Sequence, residues 1–436
     1  MTNLKTEGSI QQNAEKILNV GHAEVVNNNY YAPDVKSVKR IYNKNFTQEL
    51  IKHLKSEKDF PRKLAFVDTE DWMDTISYVK EAQRYISQSF IWVIGEELRR
   101  MFVIGDQKYA NEENKIADYI DRSLRTYRSG LQLMNYVFIS KLLDEKFKNE
   151  QIDTDKPQIS KFYTAEKDLE LIDLRMLFKE LLEIFGNNPE MEFPMDKEEF
   201  VDIGQFIQPD TEFNQACVAL EKLLKLQGSE ESYKHEHCEI AEKSLAMILS
   251  KLICLTKYQL VSVKHIEYEE SRNNAPQYIK EMRIIKLPAI SSENETNSDA
   301  MENLIHTLMY DGTPQKTNSV LFYKKNGYIK NSINLFPFLI DKNALDDQRE
   351  FDLYYYEHLN IDELKLRYYS TRTGPQSIPC IKARILSPEE LKEDNALDKF
   401  IIDTRIELVS KQFQLARNTM LNDDFDFTGV KNVLLQ

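Results

Sequence analysis

Glycine is scarce in this chain, with 12 in 436 residues, and no two of them lie within four positions of each other. Loops that cradle phosphates need closely spaced glycines, so that backbone N–H groups can approach the oxygens. The P-loop and dinucleotide fingerprints are therefore absent. So are a GxSxG nucleophile elbow and an HExxH zinc helix. None of the seven histidines has an arginine four to six residues upstream, so the Arg–His pair of some helical ribonucleases is missing. Cysteine is sparse too: Cys217, Cys238, Cys254 and Cys380 form no CxxC pair and suggest no disulfide framework. No window approaches eighteen uninterrupted apolar residues, which leaves no membrane span. The opening MTNLKTEGSIQQNAEKILNV lacks a basic start followed by an apolar core. No signal peptide is expected, and the expected compartment is the cytoplasm.

Positive charge is in deficit, with 57 Lys and Arg against 71 Asp and Glu, a net −14. Such a surface repels a phosphate backbone, so broad nucleic-acid binding is not expected. Basic residues do cluster at Lys36, Lys39, Arg40 and Lys44, and at Arg99 and Arg100. Each cluster reads as a solvated face. What the chain does have is a globular balance, 42% hydrophobic and 29% charged, and enough length for two or three domains.

Residues 1–43 read as an arm and linker. Ile17, Val20, Val25 and Val26 stand among asparagines there, and Asn27–Asn29 and Pro33 break any regular element. Helical periodicity then dominates residues 44–256 and predicts a bundle. One helix runs from the cap Asp71 through Ile76, Val79, Ile86, Phe90 and Val93 to about Val103. Others span 111–149, 166–185, 213–226 (after a candidate cap, Asp210) and 239–255. From Leu260 the period changes to two. Residues 257–436 read as a mainly antiparallel β-rich domain closed by a helix over 387–420 that Ser387 caps. Within that domain SVLFYKK, INLFPFLID, FDLYYYEHLN and ELKLRYYS predict strands meandering through one sheet, closed by Pro375 and Pro379. Residues 291–300 read as an exposed loop. The fold class is α+β.

Few residues carry chemistry. His235, His237 and Cys238 are good zinc ligands but lack a distant second pair, so they read as a polar interhelical segment. Asp352 followed by Glu363-x-Lys365 has the pattern of Mg²⁺-dependent nucleases of restriction-enzyme type. Strand alternation puts Glu363 and Lys365 on one face, as it also would on any solvated strand. Tyr354, Tyr355, Tyr356, Tyr368 and Tyr369 could stack bases, and cross-strand packing accounts for them more simply.

The segment QQNAEKILNVGHAEVVNN resembles a short tether that precedes sensor, signalling and effector modules in bacterial conflict systems. The block around Leu335, Pro337 and Phe338, closing at Tyr368 and Ser370, resembles a β-rich module that follows a helical domain in such proteins. The resemblance implies a role in antiphage defence or stress signalling and carries over no catalytic residue. The leading expectation is a non-catalytic sensor, adaptor or regulatory subunit that needs no cofactor. Ile17, Val20, Val25 and Val26 would contact a protein partner encoded nearby or a second copy of the chain. The alternatives are a nuclease effector using Asp352, Glu363, Lys365 and Mg²⁺, and a self-assembling scaffold.

Overall fold

The structure, a computed structural model, describes residues 42–55, 60–61, 64, 76–197, 203–227, 233–269, 277–285, 308–310, 319–325, 331–342, 352–370, 374–380 and 396–426. The chain divides into two units, Met1–Ile41 and Tyr42–Gln436, and the described residues all belong to the second. Helices come first: α1 (Lys44–Leu54), α2 (Ile76–Ser89), α3 (Trp92–Asp106), α4 (Glu112–Lys148), α5 (Pro157–Thr164), α6 (Leu171–Asn187), the single turn α7 (Gly204–Ile207), α8 (Glu212–Leu226) and α9 (His235–Lys251). Strands follow: β1 (Tyr258–Glu269), β2 (Gln277–Ile285), β3 (Leu308–Tyr310), β4 (Val320–Lys324), β5 (Ile333–Asn334), β6 (Leu339–Asp341), β7 (Leu353–Asn360), β8 (Lys365–Ser370) and β9 (Gly374–Pro379). The helix α10 (Ala396–Leu421) comes last, and the fold is α+β. Among the described residues no helix is long and apolar enough to cross a membrane.

Local chemistry sets the helix ends. Asn111 caps α4 by accepting from the Glu113 N–H at 2.8 Å. Glu112 and Glu113 fill its first turn and Lys146 and Lys148 its last, matching the helix dipole. Thr211, one residue beyond the expected Asp210, caps α8 by accepting from the Asn214 N–H. The expected helix through Val103 is in fact two, α2 and α3. Near the break, the Ser87 and Ser89 hydroxyls donate to the Gln83 and Tyr85 carbonyls at 2.9 and 2.7 Å, a local competition that weakens a helix. The expected Asp71 cap, the loop at 291–300 and the Ser387 cap lie outside the described residues.

The strands build two antiparallel sheets rather than one. The first has the order β3-β2-β1-β4-β5 and the second β6-β7-β8-β9. Strand β4 pairs back to β1, with Leu260 opposite Phe322, so the aromatic block is shared between the sheets. The segment GPQSIP is not merely a terminator. It pairs with β8 as the edge strand β9, where proline is tolerated. A buried charge links the sheets: Asp341 on β6 accepts from Ser262 Oγ at 2.6 Å and from the Lys264 ammonium, both on β1.

Helices and strands share one core. Phe162 and Tyr163 of α5, Phe338, Tyr356 of β7 and Phe413 of α10 form a continuous set of ring contacts. Tyr136 of α4 stacks on Phe338 and donates to the Tyr356 carbonyl. The change of element type at Tyr258 is sharp, yet the apolar packing runs across it. The tyrosine run FDLYYYEHLN and the strand after it supply that packing: Tyr354, Tyr355 and Tyr356 of β7 and Tyr368 of β8 are all buried.

Candidate functional site

The strand pairing keeps the nuclease-like residues apart. Asp352 is buried just before β7, where it accepts from the Ser370 hydroxyl at the far end of β8. At the other end of the same ribbon Asn360 pairs with Lys365. Eight positions of strand separate Asp352 from Asn360, roughly 25 Å at 3.3 Å per residue. Glu363 lies in the turn there, exposed, bonded to Lys365 at 3.0 Å and Arg367 at 2.8 Å. Asp352, Glu363 and Lys365 therefore do not converge. No group of three His, Cys, Asp or Glu side chains placed to hold a metal ion occurs among the described residues. In the His235–Cys238 turn the side chains diverge around α9, with His235 exposed and Cys238 buried. Arg99 and Arg100 both pair with Glu96, at 2.9 and 2.8 Å, so this basic cluster is internally matched. Ile17, Val20, Val25 and Val26 lie outside the described residues.

Two polar sites stand out instead. The first is a clamp where the second unit begins. Tyr42 and Asn43, at the end of the expected arm and linker, are buried. Asn43 has φ 65, a left-handed conformation that asparagine tolerates. Its backbone N–H donates to Glu242 Oε1 of α9 at 2.6 Å. Tyr119 Oη of α4 lies 2.6 Å from Asn43 Oδ1 and 2.7 Å from Glu242 Oε1. Burial raises the Glu242 carboxyl, against the pull of those two hydrogen bonds. Tyr119 thus brings its one hydrogen between two oxygen neighbours, Asn43 Oδ1 and Glu242 Oε1. Tyr42 donates to Glu112 at 2.7 Å and packs on Tyr119 and His235, and the Lys115 ammonium sits over its ring at 4.4 Å. Gly105 on α3 makes room: a Cβ there would meet Asn43 Nδ2 at 2.0 Å.

The second site is a β-bulge. Pairing shifts between Tyr356 and His358, which leaves Glu357 as the extra residue. Tyr356 faces Tyr368, but His358 pairs with Arg367, on the opposite face of β8. The bulge thus puts Glu357 and His358 together on the face that carries Tyr369 and Arg367. Asp168, in the loop between α5 and α6, bonds His358 Nδ1 at 2.7 Å. Tyr369 accepts from Arg125 of α4 at 2.8 Å. Burial, then the Asp168 charge, push Glu357 up to about 7, against Arg128 and His358. The hydrogen bond to His358 holds Asp168 low. Two carboxyls beside one imidazole are thus driven apart, a pattern common where protons are handled.

No protein-family model matches the chain, and neither a curated protein nor a solved structure matches it.

Proposed function

We propose that the chain is a sensor or adaptor subunit of a bacterial defence or stress-signalling system, acting in the cytoplasm through protein–protein contacts. Residues 1–41 carry the contact, with Ile17, Val20, Val25 and Val26 as its apolar anchors. The partner is a protein encoded nearby or a second copy of the chain. The observation that supports this reading most is the Tyr42–Asn43 clamp. A recognition arm is useful only if its base is fixed, so that engagement is felt by the body. Here the base is held by α3, α4 and α9 together. Burying three or four aliphatic side chains contributes on the order of 4–8 kcal/mol gross. Ordering the segment takes back much of it, which suits a reversible tether.

The test replaces Ile17, Val20, Val25 and Val26 with Ser in the full chain. The variant should melt like the parent while losing both self-association in analytical ultracentrifugation and its co-purifying partner from the native host. Retention of the parent's complexes by the variant would sink the reading.

A further inference from the structure

Helix α8 is apolar on two sides. Phe213, Cys217 and Leu220 are buried in the core. Val218, Ala219 and Leu226 instead line a groove that α8 forms with α9. Leu223 and Ile240 of α9 complete the apolar wall, and Ile240 is 42% exposed. A helix that is apolar all round normally has every face covered. The groove holds about 520 Å³, within the range of small-molecule sites, about 300–1,000 Å³. Its lining along α8 runs from Gln215 to Leu226, roughly 16 Å at 1.5 Å per residue.

The cationic groups gather at one end. The Tyr233 hydroxyl donates to the Leu223 carbonyl at 2.9 Å, which holds the start of α9 against the end of α8. His237, in the first turn of α9, lines the groove there, and Lys222 lies one turn before Leu226 on α8. Among the described residues Lys222 engages no ion pair or hydrogen bond. No Asp or Glu among them lines the groove, although the chain carries 71 acids against 57 Lys and Arg. His237 Nδ1 accepts from the Lys234 N–H at 3.1 Å, so a neutral ring carries its proton on Nε2. Glu236 approaches that ring at 4.0 Å and is itself exposed.

We propose that this groove binds a free organic carboxylate with an elongated apolar body, its head at Lys222 and its chain along Val218, Ala219 and Ile240. The long apolar wall selects the body, and burying it supplies most of the affinity. The ammonium, unopposed by a lining acid, selects the sign of the head. The lysine stem lies along the wall while its charge reaches out to the ligand. The N-terminus of α9 is at the same end, and its dipole favours an anion there.

Such a ligand gives the sensor reading a trigger, but the binding does not depend on residues 1–41, so either can fail while the other stands. The full chain is titrated by calorimetry with decanoate below its micelle concentration, and with decyltrimethylammonium as a cationic probe of equal chain length. Decanoate should bind saturably at one site, and the cation about tenfold more weakly. Lys222→Met keeps the stem and removes the charge. It should weaken decanoate about tenfold, the loss expected for one charge-assisted hydrogen bond, with the melting temperature unchanged. Ala219→Phe fills the groove and should abolish saturable binding. If that variant does not fold, Ile240→Ser, at an exposed position, should weaken decanoate about tenfold. Absence of saturable decanoate binding would leave the groove to a partner's helix and overturn the proposal. Equal binding of the cation, or parent-like binding by the Lys222 variant or the groove variants, would overturn it too.

Discussion

Replacing Glu242 with alanine tests the clamp most sharply. Glu242 is buried, and its Oε1 takes the Asn43 N–H at 2.6 Å and meets Tyr119 Oη at 2.7 Å. Alanine leaves the buried Asn43 N–H without its acceptor, at about 1–3 kcal/mol. Tyr119 keeps Asn43 Oδ1 at 2.6 Å, so its own loss is smaller. The vacated space adds a cavity penalty of about 1 kcal/mol. The sum is roughly 2–4 kcal/mol, a large share of a typical domain's stability. Glutamine with its carbonyl in the Oε1 position still accepts from the Asn43 N–H and from Tyr119, so Glu242→Gln should cost less than alanine, about 1 kcal/mol. Urea unfolding at pH 7 with a shared slope measures both. If glutamine costs as much as alanine, the acceptor at the Oε1 position is not what holds the clamp and this account is wrong.

Three further outcomes follow from the geometry. Asp341→Ala strips the Lys264 ammonium of its buried partner between the two sheets, and should cost about 3–5 kcal/mol in the same urea assay. Gly105→Ala drives a Cβ against Asn43 and Tyr42 and should cost roughly 1–3 kcal/mol; a neutral result would mean that the clamp is loose. Glu357 is raised from 4.5 to about 7 in the folded chain, so folding takes up a proton between those values. Its contribution is full below pH 4.5 and is lost as pH rises through about 7. Glu357→Gln should therefore gain on the parent in melting temperature from pH 5 to pH 8, and parallel curves would contradict the assignment.

Helix α4 was legible because one stripe, an asparagine cap and charges suited to the dipole all agree over residues 111–149. The switch to strands near Tyr258 was legible as a change of period. The division into two sheets was not, because β4 pairs with β1 across a long intervening stretch, and alternation says nothing about partners. The α2–α3 break left only the weak signal of Ser87 and Ser89. The bulge was invisible for a sharper reason. One extra residue reverses which face every following side chain takes, so strict alternation put Glu357 and His358 on opposite faces. Asp168 and His358 are 190 positions apart, and no local pattern joins them. The nuclease-like spacing was legible and misleading, since sequence distance does not report that Asp352 and Lys365 occupy opposite ends of one ribbon.

The central claim is that the self-standing unit begins at Tyr42 and that residues 1–41 serve recognition. Removing residues 1–41 and comparing thermal melts and complex formation with the full chain tests this directly. The account predicts a melting temperature within about 2 °C of the parent, where 1 kcal/mol in a domain of 150–250 residues corresponds to about 2–4 °C, together with complete loss of the partner or self-associated complex. A truncated chain that fails to fold, or that folds and keeps its complexes, would contradict it.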